Sequence, residues 1–125
     1  LLDEVGLFDE TLPACEDYDL WLRIAWKYPV GLIETPLIVK RGGHADQLSA
    51  MPELDKYRIH ALVKILKQGC LSASQHTAAR AMLAEKCRIF AQGCRKRGKL
   101  DEAEHYRALM SSLEPFSEVP LIPIP

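Results

Sequence analysis

The first third of the chain sets short apolar clusters between glycines and prolines, whereas the remainder repeats apolar side chains every three or four positions. In residues 1 to 15, Val5, Leu7 and Phe8 are able to pack, but Gly6, Asp9-Glu10 and Pro13 interrupt any period and predict a loop-rich start. A helix is predicted from near Glu16 to about Lys27, because Leu20, Trp21, Ile24 and Ala25 share one face at helical spacing. Glu16, Asp17 and Asp19 fall in its first turn, where carboxylates suit the positive end of the helix dipole, and Arg23 and Lys27 lie toward the other end. That charge order accounts for the carboxylates without any chemistry.

Tyr28-Pro29 ends the helix, and Val30 to Glu34 and Pro36 to Lys40 read as two short extended segments on either side of Thr35-Pro36. The prolines restrict these segments to edge strands or short pieces. Arg41-Gly42-Gly43-His44 is a flexible turn that leads into the polar run Asp46-Gln47-Leu48-Ser49. From Pro52 the pattern becomes amphipathic, and one helix is expected over about 52 to 68, with Leu54, Tyr57, Ala61, Leu62 and Ile65 inward and Gly69 as its stop. A second helix, capped by Ser72 or Ser74, runs through Ala78, Ala81, Met82, Ile89 and Phe90 to about Arg95. Gly98 breaks it, and a third spans Leu100 to Leu113. The pattern therefore divides the chain into 1–50, a helical appendage over 51–113 and a Pro-rich tail over 114–125.

With 125 residues, 48% of them hydrophobic, the chain suffices for one compact domain or a subdomain with an appendage, and disorder throughout is excluded. Sixteen Lys and Arg against 17 Asp and Glu leave a charge of -1, so no overall field draws the chain to nucleic acid or to an anionic membrane. The four cysteines, at 15, 70, 87 and 94, form neither a CxxC pair nor a Cys/His set at zinc spacing, which points to reduced thiols and a cytoplasmic setting. The apolar runs fall far short of the roughly 20 residues that span a bilayer, and leave room for membrane association of a longer parent. The start at Leu1-Leu2-Asp3-Glu4, without an initiator Met, reads as mid-protein sequence with an upstream portion missing.

Three linked pieces carry a resemblance. They are Val5-Gly6-Leu7-Phe8-Asp9-Glu10, then Cys15-Glu16-Asp17-Tyr18-Asp19-Leu20-Trp21-Leu22-Arg23, then the stretch from Pro36 through His44 to Ser49. In order and spacing they resemble the C-terminal, base-bearing region of family 2 glycosyltransferases of the GT-A type, where a similar Gly-x-Phe-Asp-Glu loop precedes an acidic pair that opens a helix. The resemblance implies mainly α structure with a few short β-strands, the end of a GT-A α/β fold followed by a three-helix appendage. It further implies inverting transfer from a nucleotide-sugar donor to a sugar or lipid-linked acceptor, with Asp17 as the base.

A sugar hydroxyl is a weak nucleophile near neutral pH, so a carboxylate within hydrogen-bond reach must take its proton as the new bond forms. Asp17 suits that task, and Glu16 either caps the helix or contacts the acceptor. Asp9 and Glu10 could line the acceptor pocket or simply form turns. Trp21 reads first as core, with sugar stacking as the alternative. Arg23 could orient a carboxylate, or pair with Asp19 one turn away.

Lys40 and Arg41 are candidates for the donor diphosphate. The resemblance implies that His44 helps to hold a divalent ion, Mn or Mg, and imidazole is the better ligand for Mn. The nucleotide-binding half of that family, with the Asp-x-Asp type motif that meets the metal and diphosphate, has no counterpart in these residues, so the isolated chain is expected to be inactive and to hold no metal by itself. Ala91, Gly93, Cys94, Gly98, Leu100, Asp101-Glu102-Ala103 and Tyr106 resemble one helix pair of a tetratricopeptide-type repeat. A solenoid needs about three such units, so the rival expectation is a helical interaction module. A homodimer through Leu7, Phe8, the Trp21 helix or the C-terminal helices fits either view.

Overall fold

A computed structural model describes residues 1–39, 41, 43 and 53–111. Among these residues the chain forms five helices and no strand: α1 (Leu2–Val5), α2 (Glu16–Ala25), α3 (Leu54–Lys67), α4 (Ala73–Lys96) and α5 (Leu100–Ser111). Lys40, His44, the polar run Asp46 to Ser49 and the tail from Ser112 lie outside the described residues.

The α/β expectation, a GT-A fragment with short strands, is overturned. Residues 30 to 39 belong to no regular element, and every one of them is exposed. Val30, Leu32, Ile33, Leu37, Ile38 and Val39 all point large apolar surface at solvent. A strand persists only where a neighbour takes up its N–H and C=O groups, and no described segment lies beside this one to do so.

The helices pack in chain order, α1 on α2, α2 on α3, α3 on α4 and α4 on α5. One core joins Ile59, Leu62, Val63 and Leu66 of α3 to Leu83, Cys87, Phe90, Ala91 and Cys94 of α4 and to Ala103, Tyr106 and Leu109 of α5. Phe90 and Tyr106 meet edge to face within it, ring centroids 4.6 Å apart. A smaller cluster of Leu12, Ala14 and Tyr57 fixes the segment before α2 onto the start of α3.

Local chemistry sets the helix ends. Ser72 accepts the Gln75 N–H at 3.3 Å while the Gln75 side chain accepts the Ser72 N–H at 2.9 Å, a reciprocal cap that opens α4. The Gln75 amide also donates to the Trp26 carbonyl at 2.9 Å, which ties the end of α2 to the start of α4. Gly69, past the end of α3, has φ 64°, a conformation that suits glycine.

On α3 the expected inward residues Tyr57, Ala61, Leu62 and Ile65 are buried, whereas on α4 only Phe90 of the expected face is. On α4 the inward positions are Leu83, Cys87, Phe90, Ala91 and Cys94, while Met82 and Ile89 are exposed. Cys87 and Cys94 act as small core hydrophobes, and burial pushes the Cys87 thiol up to about 12. All four cysteines are free. Helix α3 is buried on almost every side, because it lies between α2 and α4.

Candidate functional site

Helix α2 starts after Cys15, which takes a left-handed conformation with φ 62°. No side chain caps it, so Glu16, Asp17 and Asp19 supply the negative charge that its first turn favours. The three carboxylates then part company. Asp19 turns inward and is 2% exposed. It accepts from the Arg23 Nε at 2.8 Å and from the Lys64 Nζ of α3 at 3.0 Å.

The two cations continue outward. The Lys64 ammonium also donates to the Asp9 Oδ2 at 2.7 Å, and the second Asp9 oxygen accepts from the Thr11 hydroxyl at 2.6 Å and the Thr11 N–H at 3.1 Å. The Arg23 guanidinium donates to the Val5 and Leu7 carbonyls, one on each side of Gly6. Gly6 has φ 81°, and a Cβ there would lie 3.2 Å from the Arg23 Nη1. The backbone conformation favours glycine there, and a Cβ would crowd the guanidinium. The Val5-to-Glu10 loop, α2 and α3 are thus joined by one charge cluster, buried at Asp19 and half-buried at Asp9, Arg23 and Lys64.

Electrostatics follow the bonds. Lys64 and Thr11 hold the Asp9 carboxyl well below the usual carboxylate range. For Lys64 burial is the largest influence and favours the neutral amine, but the bonds to Asp9 and Asp19 outweigh it and raise the ammonium above its ordinary value.

The outward face of α2 differs in kind. Asp17 is exposed, and its Oδ1 accepts the Tyr18 N–H at 2.7 Å. Its other oxygen has no hydrogen bond or ion pair among the described residues. Trp21, one turn further along, is 59% exposed and is not the core residue that the helical pattern suggested. Of the expected apolar face Leu20, Trp21, Ile24 and Ala25, Ile24 is buried, and the side toward α3 carries Tyr18, Asp19 and Leu22. Glu16 is half-buried and Glu10 exposed, and neither has a side-chain hydrogen bond among the described residues.

The structure therefore brings Asp9, Asp19 and Arg23 together inside and places Glu10, Asp17 and Trp21 at the surface. Arg41 is exposed. Lys64, which organises the interior cluster, was not among the expected site residues; it lies on α3, remote in sequence from α2, and nothing local marks it. Among the described residues no three His, Cys, Asp or Glu side chains converge to hold a metal ion. No helix among them is long and apolar enough to cross a membrane.

No protein-family model matches this chain, and no solved structure matches it. Two curated proteins share a stretch with it. A protein of Rickettsia felis is 39% identical over 44 residues, which is 35% of this chain and 7% of the relative. A protein of Rickettsia conorii is 41% identical over 44 residues, with the same shares. Both carry the name uncharacterized glycosyltransferase. Part of this chain is similar to glycosyltransferases. The shared stretch covers less than a tenth of either relative's length, so the likeness is that of one region within much longer proteins.

Proposed function

We propose that this chain is the acceptor-side, base-bearing part of a glycosyltransferase that moves a sugar from a nucleotide-sugar donor to an acceptor hydroxyl with inversion, and that Asp17 is the general base. One observation carries the reading: α2 is anchored by a neutralised Asp19 on its inner side and presents a solvent-facing Asp17 one turn from an exposed Trp21 on its outer side. The shared stretch with proteins named glycosyltransferase supports it.

In this mechanism the acceptor oxygen attacks the anomeric carbon, the bond from that carbon to the donor diphosphate breaks, and the hydroxyl proton passes to the free oxygen of Asp17. Trp21 offers a flat apolar face for the acceptor ring, and Glu10 and Glu16 accept hydrogen bonds from its other hydroxyls. Asp9 and Arg23 act through position, because their polar atoms hold the Val5-to-Glu10 loop against α2 and α3. Arg41, with Lys40 beside it in sequence, would offset diphosphate charge. The described residues do not fit a divalent ion, so no step runs through one; in this reading its oxygen ligands, and the nucleotide site, come from a longer parent.

The test is Asp17→Asn in the full-length parent, with nucleoside diphosphate release followed over a panel of nucleotide sugars. Loss of transfer by about 10²–10⁴-fold with donor affinity intact is expected. Turnover within a few-fold of the unmodified protein would remove Asp17 from the mechanism.

The self-contained α3–α5 core favours a second reading, a helical interaction module that also mediates a homodimer. Phe8 and Trp21, 55% and 59% exposed, provide apolar surface for it. Sedimentation of Trp21→Ser against the unmodified chain decides: a dimer lost on substitution supports this reading, and a monomer at every concentration ends it.

A further inference from the structure

The cleft between α4 and α5 gathers positive charge that sugar transfer does not use. Arg88, Gln92 and Arg95 line it from α4, at positions i, i+4 and i+7 on one side of the helix, and Arg107 and Met110 line it from α5. The buried Ala91 forms its floor, and it encloses about 280 Å³. The contact between the Phe90 and Tyr106 rings brings the two helices level there. Arg107, next after Tyr106, therefore stands at the height of Ala91, between Arg88 and Arg95, which are about 10 Å apart along the α4 axis.

No carboxylate is among the residues that line the cleft. Arg88 is partly neutralised by Glu85, to which its Nε and Nη2 donate at 2.9 and 2.8 Å. The Arg95 and Arg107 guanidinium groups have no hydrogen bond or ion pair among the described residues. The helix dipole accounts for a cation in the last turn of α4, where Arg95 lies, but not for Arg88 or Arg107, which precede the last turns of their helices.

We propose that this cleft binds a phosphomonoester group in its dianionic form. A monoester carries close to two negative charges near neutral pH, which the two uncommitted guanidinium groups balance, and each planar fork matches two phosphate oxygens. A carboxylate has one charge and would leave one arginine unmatched. Gln92 adds a neutral N–H donor, and the methyl group of Ala91 presents no oxygen that would repel the anion. The cavity has the size of a small-ligand pocket, so it takes one compact group. A nucleic acid needs a long track of cations, and the chain as a whole carries -1. The site shares no residue with the Asp17 surface and rests on no part of the transfer reading.

The experiment titrates the full chain with inorganic phosphate, ionic strength held constant with NaCl, and follows the Nε–H signals of Arg88, Arg95 and Arg107. A saturable shift is expected at Arg95 and Arg107, with a weaker one at Arg88. Arg95→Gln and Arg107→Gln should each weaken binding about tenfold, and glutamine preserves the helices. Lys96→Gln, exposed on α4 outside the cleft, should leave the affinity unchanged. Glycerol phosphate set against phosphatidic acid vesicles then distinguishes the sources of the group. Tighter binding of the soluble ester identifies a free phosphorylated molecule, and tighter binding of the vesicles, lost in Arg107→Gln, identifies a lipid headgroup.

A shift that never saturates, or no shift at all, overturns the proposal. So do equal losses in Lys96→Gln and Arg107→Gln, which would reduce the attraction to the diffuse field of the surface. Saturable binding that survives in Arg95→Gln/Arg107→Gln also overturns it, since the anion would then sit elsewhere.

Discussion

Asp17 and Asp19 stand two positions apart on α2, a rotation of about 200° around the helix axis, and that rotation separates a solvent-facing carboxylate from a buried one. Removing the charge of Asp19 leaves Arg23 without its carboxylate and Lys64 with Asp9 alone, so Asp19→Asn is expected to lower stability by about 3 kcal/mol. Asp17→Asn is expected to change it by less than about 0.5 kcal/mol. Denaturant titration of the two variants checks the contrast, and equal losses would mean that the division into an inner and an outer carboxylate is wrong. The sequence placed all three carboxylates in the first helical turn and singled out Asp17, but it offered no way to see that Asp19 would be the buried one. The partner that draws it inward, Lys64, is on another helix, and a pairing between remote positions leaves no local pattern. Trp21 was misread for the same reason, since Asp19 and not the indole faces α3.

At the level of elements, helix limits and the inward face of α3 were legible, while the faces of α2 and α4 were legible only in part. Caps and breakers act within a few residues: Ser72 opens α4, Gly69 follows α3, and Gly98, with φ 74°, separates α4 from α5. Ser72→Ala removes an acceptor from the reciprocal cap and is expected to cost about 1 kcal/mol, read as a lower unfolding midpoint. No change would show that the Gln75 tie to Trp26 alone sets the start of α4. The inward face of α4 was assigned to Ala78, Ala81, Met82, Ile89 and Phe90, of which Phe90 alone is buried, because a long helix of many alanines offers several weak stripes. The structure selects Leu83, Cys87 and Cys94 instead, where buried thiols do the work of aliphatic side chains. For Val30 to Val39 the composition is that of a strand, and no described neighbour completes one.

Across the whole molecule, the Asp9–Lys64–Asp19 cluster links stability to pH. Asp9 ionises below its ordinary value of 3.8 in the folded chain, so the unfolded chain binds its proton first as pH falls. The contribution of Asp9 is therefore complete above pH 3.8 and is lost as pH drops through the lower folded value. Lys64 shifts the other way: its contribution is complete below its ordinary 10.5 and is lost as pH rises through the higher folded value. Unfolding free energy measured from pH 2 to 7 should show an acid limb that flattens in Lys64→Met. An unchanged limb would assign acid unfolding to other carboxylates.

The order in which the helices rest on one another also governs how the chain assembles. Each packs on its neighbour in sequence, and among α3, α4 and α5 the search that brings them together closes short loops and is entropically mild. The buried members of the core shared by α3, α4 and α5 all lie at or after Ile59. Helix α2 joins it through Tyr18 and Leu22 and through the Asp19–Lys64 pair. In a linear stack the end unit opens at the lowest cost. The α1–α2 end, which carries Asp17 and lies outside the buried core shared by α3, α4 and α5, is thus the last to dock and the first to detach.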